Sequence, residues 1–199
     1  EYNWRGVPLV ISRTGWSSEL GYEIFLRDGS QGDALWEHLM KIGGPMGLYP
    51  GHTSSIRRIE AAMLSYHADM TIDNNPYELG MDRLVDLEMK TDFISKNALM
   101  QIKAKGVSQL QVGLEFEGNP LVGSNDELWP ITIDGEIIGK VTSAIYSPRL
   151  KKNIALALVA FCHSKIGTSA VIEMPSGRQK CKIVPKPFYD PKKLITTQT

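Results

Sequence analysis

Ile131-Thr132-Ile133-Asp134-Gly135-Glu136-Ile137-Ile138 decides the reading of the C-terminal half of this chain. Two β-branched runs flank an Asp-Gly pair. A tight turn between antiparallel strands needs positive φ at its centre, which Gly takes freely and Asp tolerates. The stretch therefore reads as a β-hairpin. Working outward, apolar runs separated by turn residues predict further strands at 110–116, 140–146, 154–161, 169–174 and 179–184, with Ser176-Gly177 as another turn. No long helical periodicity interrupts residues 110–184. Several short strands at this spacing predict a small barrel or sandwich.

Upstream the texture changes. Val7-Pro-Leu-Val-Ile11 reads as a buried strand and Tyr22-Glu23-Ile24-Phe25-Leu26 as a second. Alternation puts Tyr22, Ile24 and Leu26 on one face of it, Glu23 and Phe25 on the other. Leu35, Trp36, Leu39, Met40 and Ile42 recur at helical spacing over 30–42, with Ser30 and Asp33 resembling a capping box and Gly43-Gly44-Pro45 as the stop. A second helix is predicted over about 54–66, carrying Ile56, Ile59, Met63 and Tyr66, and a third from near Ser95, carrying Leu99 and Ile102. The fold class is α+β. A boundary near Lys105-Gly106-Val107 separates a mixed module, 1–105, from a β-rich module, 106–199.

The 199 residues carry 22 Lys+Arg against 22 Asp+Glu. A neutral chain lacks the cationic excess from which nucleic-acid binders draw their phosphate affinity, so no nucleic-acid partner is expected. No apolar run approaches the roughly 18 residues that span a bilayer, so no membrane role is expected either. Cys162 and Cys181 are the only cysteines and form no CxxC pair, which predicts a reducing, cytoplasmic setting. The chain opens on Glu1 with neither a charged nor an apolar leader segment. It reads as starting mid-protein, so part of any site is expected elsewhere.

Generic chemistry offers little. His38, His52, His67 and His163 have no metal-ligand spacing, so no metal is expected. Phosphate-binding glycine loops and nucleophile-elbow motifs are absent from the sequence. Arg149, Lys151 and Lys152 form a small basic cluster, read as a solvated hairpin end or as an anion contact. One loop stands out: Arg13-Thr14-Gly15-Trp16-Ser17-Ser18-Glu19-Leu20-Gly21-Tyr22-Glu23. An aromatic beside a carboxylate suits a planar heterocycle rich in N–H groups: the ring stacks and the carboxylate accepts two hydrogen bonds. The plainer reading is that Trp16 packs and Glu23 is a solvated strand residue.

This loop resembles the R-x-G-Y-T-G-E-x-G-x-E segment of the glycine-cleavage T-protein (aminomethyltransferase) family. Arg58-Ile59-Glu60-Ala61 resembles the family's R-L-E-A helix, and Pro76-Tyr77-Glu78-Leu79-Gly80 its P-x-E-x-G loop. Asp92-Phe93-Ile94 with Ala98-Leu99 is similar to D-F-I-G-x-x-A-L. Gly139-Lys140-Val141-Thr142-Ser143 and Ser147-Pro148-Arg149-Leu150-Lys151-Lys152-Asn153-Ile154-Ala155 resemble G-x-V-T-S and S-P-x-L-x-K-x-I-A. The Trp-Ser-Ser-Glu-Leu variant and the Val-Pro-Lys-Pro-Phe-Tyr-Asp-Pro ending look most like the dimethylsulfoniopropionate demethylase branch.

The resemblance implies the C-terminal part of a folate-binding domain followed by a C-terminal β-barrel. It implies tetrahydrofolate as one-carbon acceptor and a small sulfonium as donor. The N-terminal half of the same protein is the implied partner, and the catalytic groups are expected there. Glu23 falls on the family's pterin-binding Glu, and Trp16 on its loop aromatic. Trp16, Tyr22 and Trp4 become candidates for an aromatic wall facing a sulfonium cation. The family's folate-contacting Arg falls on Ser54; Arg58 matches a helix residue with a structural role, and Lys192 and Lys193 lie near a second basic position. Aminomethyl transfer and a non-catalytic folate-binding role are the competing readings.

Overall fold

The structure, a computed structural model, describes residues 1–52 and 54–197. The chain divides into two compact units. The first runs from Glu1 to Ser54 and takes in the residues from Lys192 onward; the second runs from Ser55 to Pro191. The expected boundary at 105 falls inside the second unit, and positions 198 and 199 of the expected C-terminal module lie outside the described residues.

In the first unit, β1 (Tyr2–Trp4), β2 (Val7–Ser12) and β3 (Glu23–Leu26) form an antiparallel sheet in that order. Both strands expected from sequence form. The expected burial of β2 does not: Leu9 alone is buried, and Ile11, Ile24 and Phe25 stay exposed. Three strands with one helix supply too little cover for both faces. Helix α1 (Gly32–Gly43) follows a 3-10 turn at Gly29–Gln31. The cap differs from the expected Ser30–Asp33 box. Asp28 accepts from the Ser30 amide at 3.0 Å and from the Ser30 hydroxyl at 2.7 Å, so capping starts two residues earlier and Ser30 donates to the cap instead of forming it. Leu194–Thr197 forms a final helical turn.

The second unit is built on a barrel. Strands β4 (Gln109–Phe116), β5 (Trp129–Ile133), β6 (Glu136–Ser147), β7 (Lys152–Ala160), β8 (Ser169–Met174) and β9 (Gly177–Val184) close in the order β4-β7-β6-β5-β8-β9. The Asp134-Gly135 turn has φ of 51° and 87°, the positive values that a tight hairpin demands of these two residues. Leu114, Ile131, Val141, Ile172 and Ile183 fill the interior with Ala144, Ala155, Ala157 and Ala170. Small inward residues suit a narrow barrel. Strand β7 is buried on both faces: Ala155, Ala157 and Val159 point into the barrel, while Ile154 and Leu156 pack outward with Ile59 and Ile145.

The outward cluster exists because α2 (Ser55–Glu60) lies against β6 and β7. The expected helix 54–66 is therefore much shorter. Ala62 turns left-handed at φ 54°, its amide bonds Ile59 O, and the Met63 amide bonds Arg58 O at 2.8 Å. That double bond is a Schellman stop. Met63 and Tyr66 continue the apolar period in sequence but lie beyond the reversal. Helix α3 (Lys96–Lys105) forms where the third helix was expected.

Candidate functional site

The site suggested by sequence is built on the first sheet. Antiparallel pairing of β2 with β3 sets Ser12 opposite Glu23. The chain between them, 13–22, is the glycine-flanked loop. A Cβ at Gly21 would sit 3.8 Å from Thr14 O and 3.9 Å from Glu19 O, so the loop folds back on itself at that glycine. This return carries the Thr14 hydroxyl to Glu23, where it bonds Oε2, while Thr14 Oγ1 also lies 3.1 Å from Ser12 Oγ. No other hydrogen bond to the Glu23 carboxylate occurs among the described residues. Glu23 is exposed, so its charge is solvated and its remaining lone pairs are open to a ligand.

Trp16 sits in the same loop, 45% exposed, and Tyr22 immediately precedes Glu23 at 64%. Alternation sends adjacent side chains of an extended chain to opposite faces. Tyr22 and Glu23 therefore reach one ligand only around the open edge of β3. Trp4 is not part of the group. It pairs with Val7 at one end of β2, while Glu23 pairs with Ser12 at the other, roughly 17 Å away at about 3.3 Å per residue. Its ring packs on His38 at 5.6 Å, and Arg5 lies over it at 5.0 Å. The sequence grouped Trp4 with the others by residue type; strand register separates them.

Three of the remaining motifs, 58–61, 139–143 and 147–155, meet in the second unit and make a joint. Arg58 Nη1 bonds Asp69 Oδ2 at 2.9 Å, and Nη2 donates to Ser143 Oγ at 2.9 Å. Asp69 also accepts from Thr142 Oγ1 at 2.7 Å and from the Ser65 amide at 2.9 Å. Glu60 accepts from Ser147 Oγ at 2.5 Å and lies 3.8 Å from Arg149. The Glu60 carbonyl takes the amides of Phe188 and Tyr189. Arg58, Asp69 and Glu60 are all buried, where unpaired charge would be costly. Arg58 is thus committed to structure, as its place in the helix motif implied. Arg149 and Lys152 are also engaged: Arg149 lies 4.0 Å over Tyr189, and Lys152 is 2.6 Å from Glu115. Sequence reasoning missed Asp69, Thr14 and Lys186. Lys186 bonds Gln111 Oε1, and its burial, opposed by the Asp69 charge, pulls the amine down to about 8. Ser54 stands directly before α2, with Arg57 exposed on its first turn.

Residues 1–89 match the GCVT N-terminal domain, and residues 110–190 match the glycine cleavage T-protein C-terminal barrel domain. The chain belongs to the glycine-cleavage T-protein family. Relatives in the family include an aminomethyltransferase of Symbiobacterium thermophilum, 38% identical over 92% of this chain and 49% of its own length. Another is the dimethylsulfoniopropionate demethylase DmdA of Ruegeria pomeroyi, 35% identical over 87% of this chain and 47% of its own length. The crystal structure of aminomethyltransferase T from Bartonella henselae superposes with a TM-score of 0.79 at 24% identity, covering 90% of this chain and 49% of that one. That likeness concerns the fold. The chain spans about half the length of the curated T-protein relatives it matches.

Proposed function

We propose that the complete protein is a tetrahydrofolate-dependent one-carbon transferase, with Glu23 holding the pterin. The single observation that carries this reading is the Glu23 carboxylate: exposed on an open strand edge, steadied on one oxygen by Thr14, beside the loop that presents Trp16. The donor set fits the group. A carboxylate with free lone pairs can accept two N–H bonds from an aminopyrimidinone edge, and an exposed indole can stack on a flat ring. Bound folate supplies a ring nitrogen as acceptor of the one-carbon unit. The work of this chain is to bind, orient and exclude water. Holding two reactants at attack distance can lower a barrier by roughly 7–11 kcal/mol.

For the donor we propose a small sulfonium, as in dimethylsulfoniopropionate demethylation. The methyl on a sulfonium is already activated, because its leaving group is a neutral thioether needing no proton. Trp16 supports this reading, since an indole face attracts a soft cation by about 0.5–2 kcal/mol. Tyr22 is a further aromatic at the same edge. The second reading, aminomethyl transfer, is supported by the names of most relatives, including the one at 38% identity. The N-terminal half of the protein is the proposed partner and the source of the catalytic groups, and the setting proposed is cytoplasmic. The boundary at Lys105-Gly106 is proposed as the seam between the two modules, lying between the two matched family segments.

Glu23→Ala should weaken tetrahydrofolate binding to the complete protein by on the order of 2–5 kcal/mol in calorimetric titration, with the fold retained by circular dichroism. Unchanged affinity would remove the pterin assignment. Methylated folate formed from a sulfonium without a lipoyl carrier protein supports the demethylase reading; turnover only from an aminomethyl-lipoyl carrier supports the alternative.

A further inference from the structure

We infer that Thr14 is a positioning and specificity residue for Glu23, fixing the carboxylate so that it presents a two-acceptor edge to an amino-heterocycle. The inference rests on the reading of Glu23 as the pterin ligand and deepens it. Thr14 Oγ1 touches both Glu23 Oε2 and Ser12 Oγ, the latter at 3.1 Å. A hydroxyl has one proton, so it cannot donate to both. The charged carboxylate is the stronger acceptor, which assigns the Thr14 proton to Glu23 and leaves Thr14 Oγ1 to accept from Ser12. The order of donation is then Ser12 to Thr14 to Glu23, a chain that polarises toward the carboxylate.

Its geometric effect follows from the register. Ser12 and Glu23 are cross-strand partners, so their positions are set by the sheet. Thr14 belongs to the loop, at the point where Gly21 folds back against its carbonyl. One hydroxyl therefore couples the loop bearing Trp16 to the strand bearing Glu23. A Glu side chain on an exposed edge otherwise samples several rotamers, each with the carboxylate plane turned differently. Two parallel N–H bonds need one plane. Thr14 occupies a single lone pair of Oε2, so both oxygens keep capacity for the ligand.

The test is a double-mutant cycle on the complete protein, read as tetrahydrofolate affinity by calorimetry. Thr14→Val, nearly isosteric, should weaken binding about five- to twentyfold, and Thr14→Ser should restore it to within about twofold. In a Glu23→Gln background, Thr14→Val should have no further effect. A tetrahydropterin lacking the 2-amino group should bind wild type and Thr14→Val equally, a readout that a merely structural Thr14 would not equalise. Thr14→Val acting equally strongly in the Glu23→Gln background, or on the 2-desamino analogue, would overturn the inference. So would full affinity in Thr14→Val while Glu23→Gln is impaired. If Glu23→Gln itself binds normally, the pterin reading has failed and the inference falls with it, a distinguishable result.

Discussion

Gly139 shows how a family motif can be explained by one atom. A Cβ there would lie 2.2 Å from Leu158 O and 2.7 Å from Val159 Cα, both backbone atoms of the paired strand. Gly139→Ala must push β6 from β7, and should destabilise the second unit by about 1–3 kcal/mol in urea denaturation. Asp69 is the counterpart among charged residues. It is 1% exposed and neutralises Arg58, so Asp69→Ala leaves a buried guanidinium without its carboxylate. We expect a loss of about 3–5 kcal/mol, with Thr142→Val costing less because Asp69 keeps two other donors. Glu23 was legible as a candidate from residue type and spacing. Thr14 was not, because its role depends on which residue of β2 pairs with Glu23, and register is not written in the loop.

At the scale of elements, the strands were legible and one helix end was not. Asp134-Gly135 names its own turn, whereas the runs expected separately at 137–138 and 140–146 join as one strand, β6. The stop of α2 rests instead on Ala62, a residue that ordinarily extends helices. Apolar period carried the expectation on to Tyr66, while packing of Ile56 and Ile59 against the barrel fixed the end at Glu60. Ala at φ 54° bears a left-handed penalty that Gly escapes and a β-branched residue feels more. Thermal melts should therefore rank Ala62→Gly at or above wild type by up to about 1 kcal/mol, and Ala62→Val below it by about 1–2 kcal/mol. The Arg58–Asp69–Ser143 joint was illegible for a different reason: its partners are far apart in sequence, and nothing local marks them as neighbours.

For the whole molecule, the half-buried Lys186 and the buried Cys181 set opposing alkaline responses. Lys186 falls from 10.5 to about 8, so between those values the unfolded chain holds the proton that the folded chain releases, and stability rises with pH. Burial lifts the Cys181 thiol from 9.0 to about 11, partly offset by a bond with the Ala170 backbone; there the folded chain keeps the proton, and stability falls from about 9 upward. Urea midpoints measured from pH 7.5 to 10 should climb first and then level. Lys186→Met should abolish the climb, a difference of roughly 2–3 kcal/mol, since each pH unit crossed with one proton released contributes about 1.4 kcal/mol. Cys181→Ala should prolong it. The joint between α2 and the barrel also has a consequence for synthesis on the ribosome. Arg58 and Ser143 are 85 residues apart, and Glu60 and Ser147 are 87 apart. At about 5–20 residues per second, the emerging α2 waits roughly 4–17 s for the strands that will cover it. Through that interval Ile56 and Ile59 lack the strands they pack on, so the nascent chain is most open to chaperone capture before β6 has left the exit tunnel.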